Sequence, residues 1–166
     1  MNQQALQYMT CLSSSVEETR AIGIQLGQFI KEYTKPLCIA LVGDLGTGKT
    51  HMAQGIAEGF GVSEEVTSPT FALMNTYETG HGPLYHFDVY RLDDEAELDG
   101  IGFAEFTEDT LSIVEWADKF PDALPLEVLW VRIERTSEDS RRIQFETAEL
   151  SQDELEQIGG TYVFRN

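Results

Sequence analysis

Gly43-Asp44-Leu45-Gly46-Thr47-Gly48-Lys49-Thr50 is the stretch that decides the fold. It satisfies G-x-x-x-x-G-K-[ST] at every required position. The apolar run Leu37-Cys38-Ile39-Ala40-Leu41-Val42 enters it, and a helical pattern from Lys49 to about Gly59 leaves it. Strand, glycine loop and helix in that order make a phosphate-binding P-loop. Gly43, Gly46 and Gly48 permit backbone angles that side chains forbid, and let phosphate approach the chain closely. The loop amides, those of Asp44, Leu45 and Thr47 among them, then turn inward as an anion nest. The start of the following helix adds unpaired N–H groups and a partial positive charge. Lys49 is placed to reach the β- and γ-phosphates, and the Thr50 hydroxyl to bind Mg²⁺. The competing reading is a chance glycine-rich turn before a helix, and the intact flanks argue against it.

Outward from this loop, composition bounds the rest. The 166 residues suit one domain over residues 1–166 with one sizeable core. A hydrophobic share of 42% fits a soluble globular protein, and no apolar stretch is long enough to span a bilayer. Met1-Asn2-Gln3-Gln4 lacks the basic start and apolar continuation of a signal peptide. Cys11 and Cys38 are too few for a disulfide framework, and Cys38 reads as a small core residue, so a reducing cytoplasm is the expected compartment. The net charge of −18 opposes direct nucleic-acid binding, which needs a basic footprint. Either a partner holds any nucleic acid, or the acid serves solubility alone. In both cases a nucleotide would be drawn by local amides, Lys49 and Mg²⁺ rather than by the global field.

Periodicity supplies the other elements. Residues 16–33 read as an amphipathic helix, capped from Ser13, Ser14 or Ser15, with Glu17 or Glu18 in the first turn. Residues 73–77 and 84–89 read as strands joined by Gly80-His81-Gly82-Pro83. Residues 93–99 are polar and acidic, a short helix or loop, and 111–114 form a short buried-type strand. Residues 126–133 and 141–145 resemble a hairpin across Thr136-Ser137-Glu138-Asp139-Ser140. Residues 151–158 form a helix with Ser151 and Glu154 as a capping box, and 161–164 are read as a final strand. The expected fold is α/β: a P-loop NTPase-like three-layer domain with a mixed, largely parallel central sheet.

A phosphate-hydrolysing site needs a further acid for Mg²⁺ and a group that senses the γ-phosphate. Glu115 and Asp88 each end an apolar strand, where ligands of a doubly wound sheet sit. Ser68-Pro69-Thr70-Phe71 follows the P-loop helix by one connection, and Thr70 offers a hydroxyl in a switch-like position. Arg91 is a candidate partner of Asp88 or of phosphate, and otherwise a surface ion pair. His51, His81 and His86 lack metal-ligand spacing, and His86 reads as structural. No G-x-S-x-G elbow is present. Trp130 fits a core strand, whereas Trp116 beside Glu115 is placed to line the site. A guanine-reading Asn-Lys-x-Asp segment is absent, and no apolar strand precedes Asp99-Gly100-Ile101-Gly102, so ATP is favoured over GTP.

Together these segments resemble a known family. The P-loop, Ser68-Pro69-Thr70-Phe71, His86-x-Asp88-x-Tyr90-Arg91-Leu92 and Val114-Glu115-Trp116 stand in the order and spacing of TsaE, the bacterial ATPase of threonylcarbamoyladenosine synthesis on tRNA. The resemblance runs from about Val16 to Trp116 and is weaker beyond. It implies ATP hydrolysis that supports turnover of TsaB and TsaD, which modify the adenosine beside the anticodon, with tRNA held by those partners. It implies phosphate binding by Lys49 and the P-loop amides, Mg²⁺ on Thr50 and Glu115, a switch role for Thr70, a need for Asp88, and Trp116 close to the nucleotide. His51 departs from the small hydroxyl residue usual there. The adenine-holding segment matches poorly around residues 11–15, where Thr19 is the nearest candidate.

Two other classes compete. A small-molecule or nucleoside kinase would clamp the phosphoryl group with arginines, and Arg132, Arg135, Arg141 and Arg142 concentrate in the late hairpin. A nucleotide-binding interaction module would ignore loss of Glu115 or Asp88. No arginine finger is apparent near the P-loop, so hydrolysis by the chain alone is expected to be slow.

Overall fold

The computed structural model describes residues 5–165; Met1-Asn2-Gln3-Gln4, read above for a leader, lies outside them. In chain order the elements are β1 (Gln7–Ser13), α1 (Val16–Glu32), β2 (Leu37–Val42), α2 (Lys49–Phe60), β3 (Met74–Thr79) and β4 (Gly82–Asp88). There follow α3 (Ala96–Gly100), α4 (Phe103–Thr107), β5 (Leu111–Glu115), β6 (Val128–Arg135), β7 (Arg141–Thr147) and α5 (Gln152–Gly159). Seven strands make one sheet in the order β1-β7-β6-β2-β5-β4-β3. The central β6, β2, β5 and β4 are parallel, and antiparallel pairs extend both sides. This is the mixed α/β sheet with a parallel centre expected from the sequence.

Strand β2 is buried along its whole length, which explains its unbroken apolar run. Its side chains alternate between two cores. Leu37, Ile39 and Leu41 join Ile22 and Leu26 of α1, Met52 and Ile56 of α2, and Leu155 and Ile158 of α5. Cys38, Ala40 and Val42 join Phe87, Val114, Leu98 of α3 and Phe103 of α4. The sheet is thus the middle of three layers.

Helix α1 lies against α2 backbone to backbone. A methyl added at Gly27 would stand 2.1 Å from the Ile56 carbonyl oxygen, and one at Gly59 would stand 2.2 Å from that of Ile24. Gly23 and Gly55 close the same contact one turn earlier. Two G-x-x-x-G spacings therefore fix how close the P-loop helix comes to its neighbour. Ser15 caps α1 by accepting from the Glu18 amide at 3.1 Å. The expected Ser151–Glu154 capping box opens α5.

Four local readings need correction. β1 occupies residues for which no element was expected, and α4 was likewise not foreseen. Residues 161–164 do not form a strand: α5 ends at Gly160 (φ 56), and the chain meets β1 only through the Cys11–Val163 bridge and a Phe164 amide bond to Thr10 O at 2.8 Å. The hairpin begins at Val128 because Leu126 is 89% exposed and has no core to enter.

Candidate functional site

Parallel register brings the ends of three strands together. Leu41 of β2 and Asp88 of β4 both stand opposite Glu115 of β5. The P-loop leaves β2 at this edge, where functional groups of open α/β sheets gather. A methyl at Gly43 would lie 2.6 Å from the Ile133 carbonyl oxygen, so only glycine lets the loop start this close to β6. Gly48 precedes α2 with φ 110, a left-handed angle that glycine adopts freely.

Lys49 and Thr50 are the first residues of α2. The Lys49 ammonium donates to the carbonyls of Gly43 and, at 2.8 Å, Asp44, and lies 4.1 Å from the Trp116 ring centroid. Burial pushes its pKa down, against the pull of Glu115, Asp118, Asp44 and Asp88. Trp116 leaves β5 with left-handed backbone (φ 62), and its indole packs on Tyr90 at 4.7 Å. The Thr50 hydroxyl donates to Glu115 Oε1 at 3.3 Å.

Asp88 ties the Ser68–Thr70 segment to β4. Its Oδ2 accepts from Ser68 Oγ at 2.9 Å and Thr70 Oγ1 at 3.3 Å, and its Oδ1 from the Tyr90 amide at 2.9 Å. A cavity of about 470 Å³ is lined by Lys49, Thr50, Thr70, Asp88, Glu115 and Trp116, among others. Leu45, Gly46 and Gly48 also border it. Gly43 and Asp44 meet the site through the carbonyls that Lys49 bonds, and Thr47 turns its hydroxyl and amide onto Asp44 O at 2.9 and 3.3 Å.

Other candidates fall elsewhere. Arg91 does not pair with Asp88; its guanidinium lies 5.1 Å from the centroid of the exposed Phe71 ring. Thr19 is buried and shares a 2.7 Å hydrogen bond with Ser13. His51 lines the cavity without a resolved partner role. Trp130 is partly buried on the core of the α3–α4 face, beneath Arg132.

His86 is the residue that sequence reading undervalued. Its Nε2 stands 2.7 Å from Glu115 Oε2, and both side chains are buried. Its Nδ1 has no partner among the described residues, so the bond to the carboxylate is the one that fixes the ring. The available signal was spacing: His86 and Asp88 lie two apart on one strand, hence on one face. Glu115 is therefore held by His86 on one oxygen and by Thr50 on the other. A hydroxyl and a carboxylate are hard oxygen donors that suit Mg²⁺, which keeps its remaining positions for water and phosphate. Among the described residues no group of three or more His, Cys, Asp or Glu is placed to hold a metal ion.

Residues 13–143 match the family model for threonylcarbamoyl adenosine biosynthesis protein TsaE. The chain belongs to the TsaE family. The tRNA threonylcarbamoyladenosine biosynthesis protein TsaE of Bacillus subtilis is 42% identical over 130 residues, covering 78% of this chain and 79% of that one. The TsaE of Treponema pallidum is 34% identical over 136 residues, covering 81% of this chain and 98% of its own. The crystal structure of Bacillus subtilis YdiB superposes with a TM-score of 0.73 at 32% identity, covering 93% of this chain and 95% of that one. All four segments that carry the TsaE resemblance lie inside the matched range, which extends past them through β6 into β7.

Proposed function

We propose that this TsaE-family chain binds and hydrolyses Mg-ATP as the ATPase of tRNA threonylcarbamoyladenosine biosynthesis, in the cytoplasm, and so supports turnover of a TsaB–TsaD complex. The carrying observation is the meeting of the P-loop, the Thr50–Glu115 pair and the Asp88-held Thr70 segment at one cavity. The P-loop amides and Lys49 bind the phosphates. Thr50 and Glu115 hold Mg²⁺, which when bound neutralises charge on the phosphate oxygens. His86 orients Glu115 as an outer-shell partner. Asp88 accepts hydrogen bonds from Ser68 and Thr70, and so sets where the switch-like loop stands relative to the γ-phosphate. Trp116 packs beside Lys49 and excludes water from its ammonium.

The net charge of −18 supports leaving the tRNA to the partners. Among the described residues no helix is long and apolar enough to cross a membrane. The kinase alternative needs several clamping arginines, and of those in the hairpin only Arg141 borders the cavity, where it bonds the P-loop carbonyls of Thr47 and Gly46. Arg135 bonds turn carbonyls, Arg142 pairs with Glu134 and Arg132 covers Trp130. The test is ATP hydrolysis by the chain mixed with TsaB and TsaD, beside Lys49→Ala and Glu115→Ala. Mg²⁺-dependent hydrolysis that both substitutions abolish supports the reading. Phosphate transfer from ATP to a small acceptor would replace it with the kinase.

A further inference from the structure

Arg141 opens β7 and takes no part in the roles assigned above, yet it grips the P-loop. Its Nε donates to Thr47 O at 2.7 Å and its Nη2 to Gly46 O at 3.4 Å. Its Nη1 faces the hairpin turn, with Ser140 O at 2.9 Å and Ser137 O and Glu138 O each at 3.2 Å. One planar guanidinium thus joins two loops that are far apart in sequence. A second contact is independent of it: Gly43 rests on the Ile133 carbonyl of β6 so closely that no side chain fits. The β6–β7 hairpin therefore touches the P-loop at its start and near its end.

This contact bears on anion binding. In a trans peptide the C=O and N–H point in opposite directions. Holding Thr47 O on Arg141 turns the Gly48 N–H away from Arg141, while the Thr47 N–H is taken by Asp44 O at 3.3 Å. A carbonyl free to swing inward would present its negative end to phosphate and undo the nest. We infer that Arg141 is a positioning residue that latches the P-loop to the β6–β7 hairpin in its anion-receiving shape, setting nucleotide affinity rather than the chemical step. The inference rests on the nucleotide reading of the P-loop. Its rival is direct contact between Arg141, which also lines the cavity, and the transferred phosphoryl group.

The experiment uses the full chain as wild type, Arg141→Lys, Arg141→Gln and, as control, Arg142→Ala, whose target is exposed and pairs with Glu134. Calorimetry gives the affinities for Mg-ADP and Mg-ATP, steady-state assay with TsaB and TsaD gives kcat, and hydrogen exchange reads the Thr47 and Gly48 amides without nucleotide. Both Arg141 variants are expected to weaken ADP and ATP alike, by about tenfold or more, as loss of charge-assisted hydrogen bonds implies. Exchange at Gly48 speeds up, kcat at saturation changes by less than about threefold, and Arg142→Ala matches wild type. Lysine does not rescue, because a single ammonium cannot span carbonyls of two loops. Unchanged ADP affinity with a collapsed kcat would overturn the latch in favour of direct contact. Full rescue by lysine, or unchanged exchange, would also overturn it. If the Arg141 variants fail to fold, two glycines inserted between Glu138 and Asp139 loosen the turn that Arg141 grips. Undiminished ADP affinity in that variant contradicts the latch. A wild type that binds neither nucleotide overturns the nucleotide reading itself, and the exchange measurement then decides the latch alone.

Discussion

Glu115 is the residue on which the site turns, because its two carboxylate oxygens have different tasks. Oε1 faces Thr50 and Oε2 is taken by His86. Replacing His86 by phenylalanine removes the donor and leaves a buried carboxylate free to rotate. Loss of such an outer-shell partner weakens metal binding by about ten- to hundredfold. A Mg²⁺ titration of nucleotide binding by His86→Phe should show that shift; an unchanged titration would reduce His86 to packing. Lys49 makes a separate prediction. Burial holds its folded pKa below the ordinary 10.5, so between the two values the unfolded chain binds more protons and this group's contribution to stability rises with pH. Phosphate favours the charged amine. ADP binding just below pH 10.5 should therefore take up protons, measurable by calorimetry in buffers of different ionisation enthalpy. Lys49→Arg should abolish the uptake, and uptake that persists would place the proton elsewhere. The strand-end acids and the P-loop were legible because motif and local order carry them. His86 was not, since a lone histidine between aromatics looks like core until register brings Glu115 to it.

Among the elements, the α1–α2 contact carries the sharpest stability prediction. Alanine at Gly59 gains helix propensity of ~1 kcal/mol. It also drives a methyl to 2.2 Å from the Ile24 carbonyl oxygen, where backbone must move. Overpacking of that kind costs about 1–3 kcal/mol and should win. Denaturant unfolding of Gly59→Ala should show net destabilisation, and a more stable variant would contradict the crossing. Ser15→Ala, which removes the α1 cap, should cost ~1 kcal/mol in the same assay. The pattern behind the crossing, Gly23 with Gly27 and Gly55 with Gly59, was present in the sequence but has meaning only once the two helices are known to touch. β1 escaped notice for a different reason. Its inward positions are Met9, Cys11 and Ser13, and Ser13 is satisfied by Thr19, so the apolar alternation breaks. Its partner, β7, lies at the other end of the chain, with Gln7 opposite Thr147. Pairing over that distance leaves no local trace. The β6–β7 hairpin was legible because both strands and the polar turn are contiguous.

At the scale of the whole molecule, charge and core make the remaining statements. Both cysteines are buried, and burial pushes each thiol up to about 12. Neither should react with a thiol reagent at neutral pH until the chain unfolds, and rapid labelling of the folded protein would contradict that burial. The acidic net charge of −18 and the cavity at the P-loop are what the whole molecule contributes to the proposed division of labour with its partners. The deciding measurement is multiple-turnover tRNA modification by TsaB and TsaD, with wild type, with Lys49→Ala, and without this protein. Threonylcarbamoyladenosine is read by mass spectrometry. Repeated turnover is expected to need both ATP and the wild-type chain, and to stop with Lys49→Ala. Equal turnover in all three would contradict it.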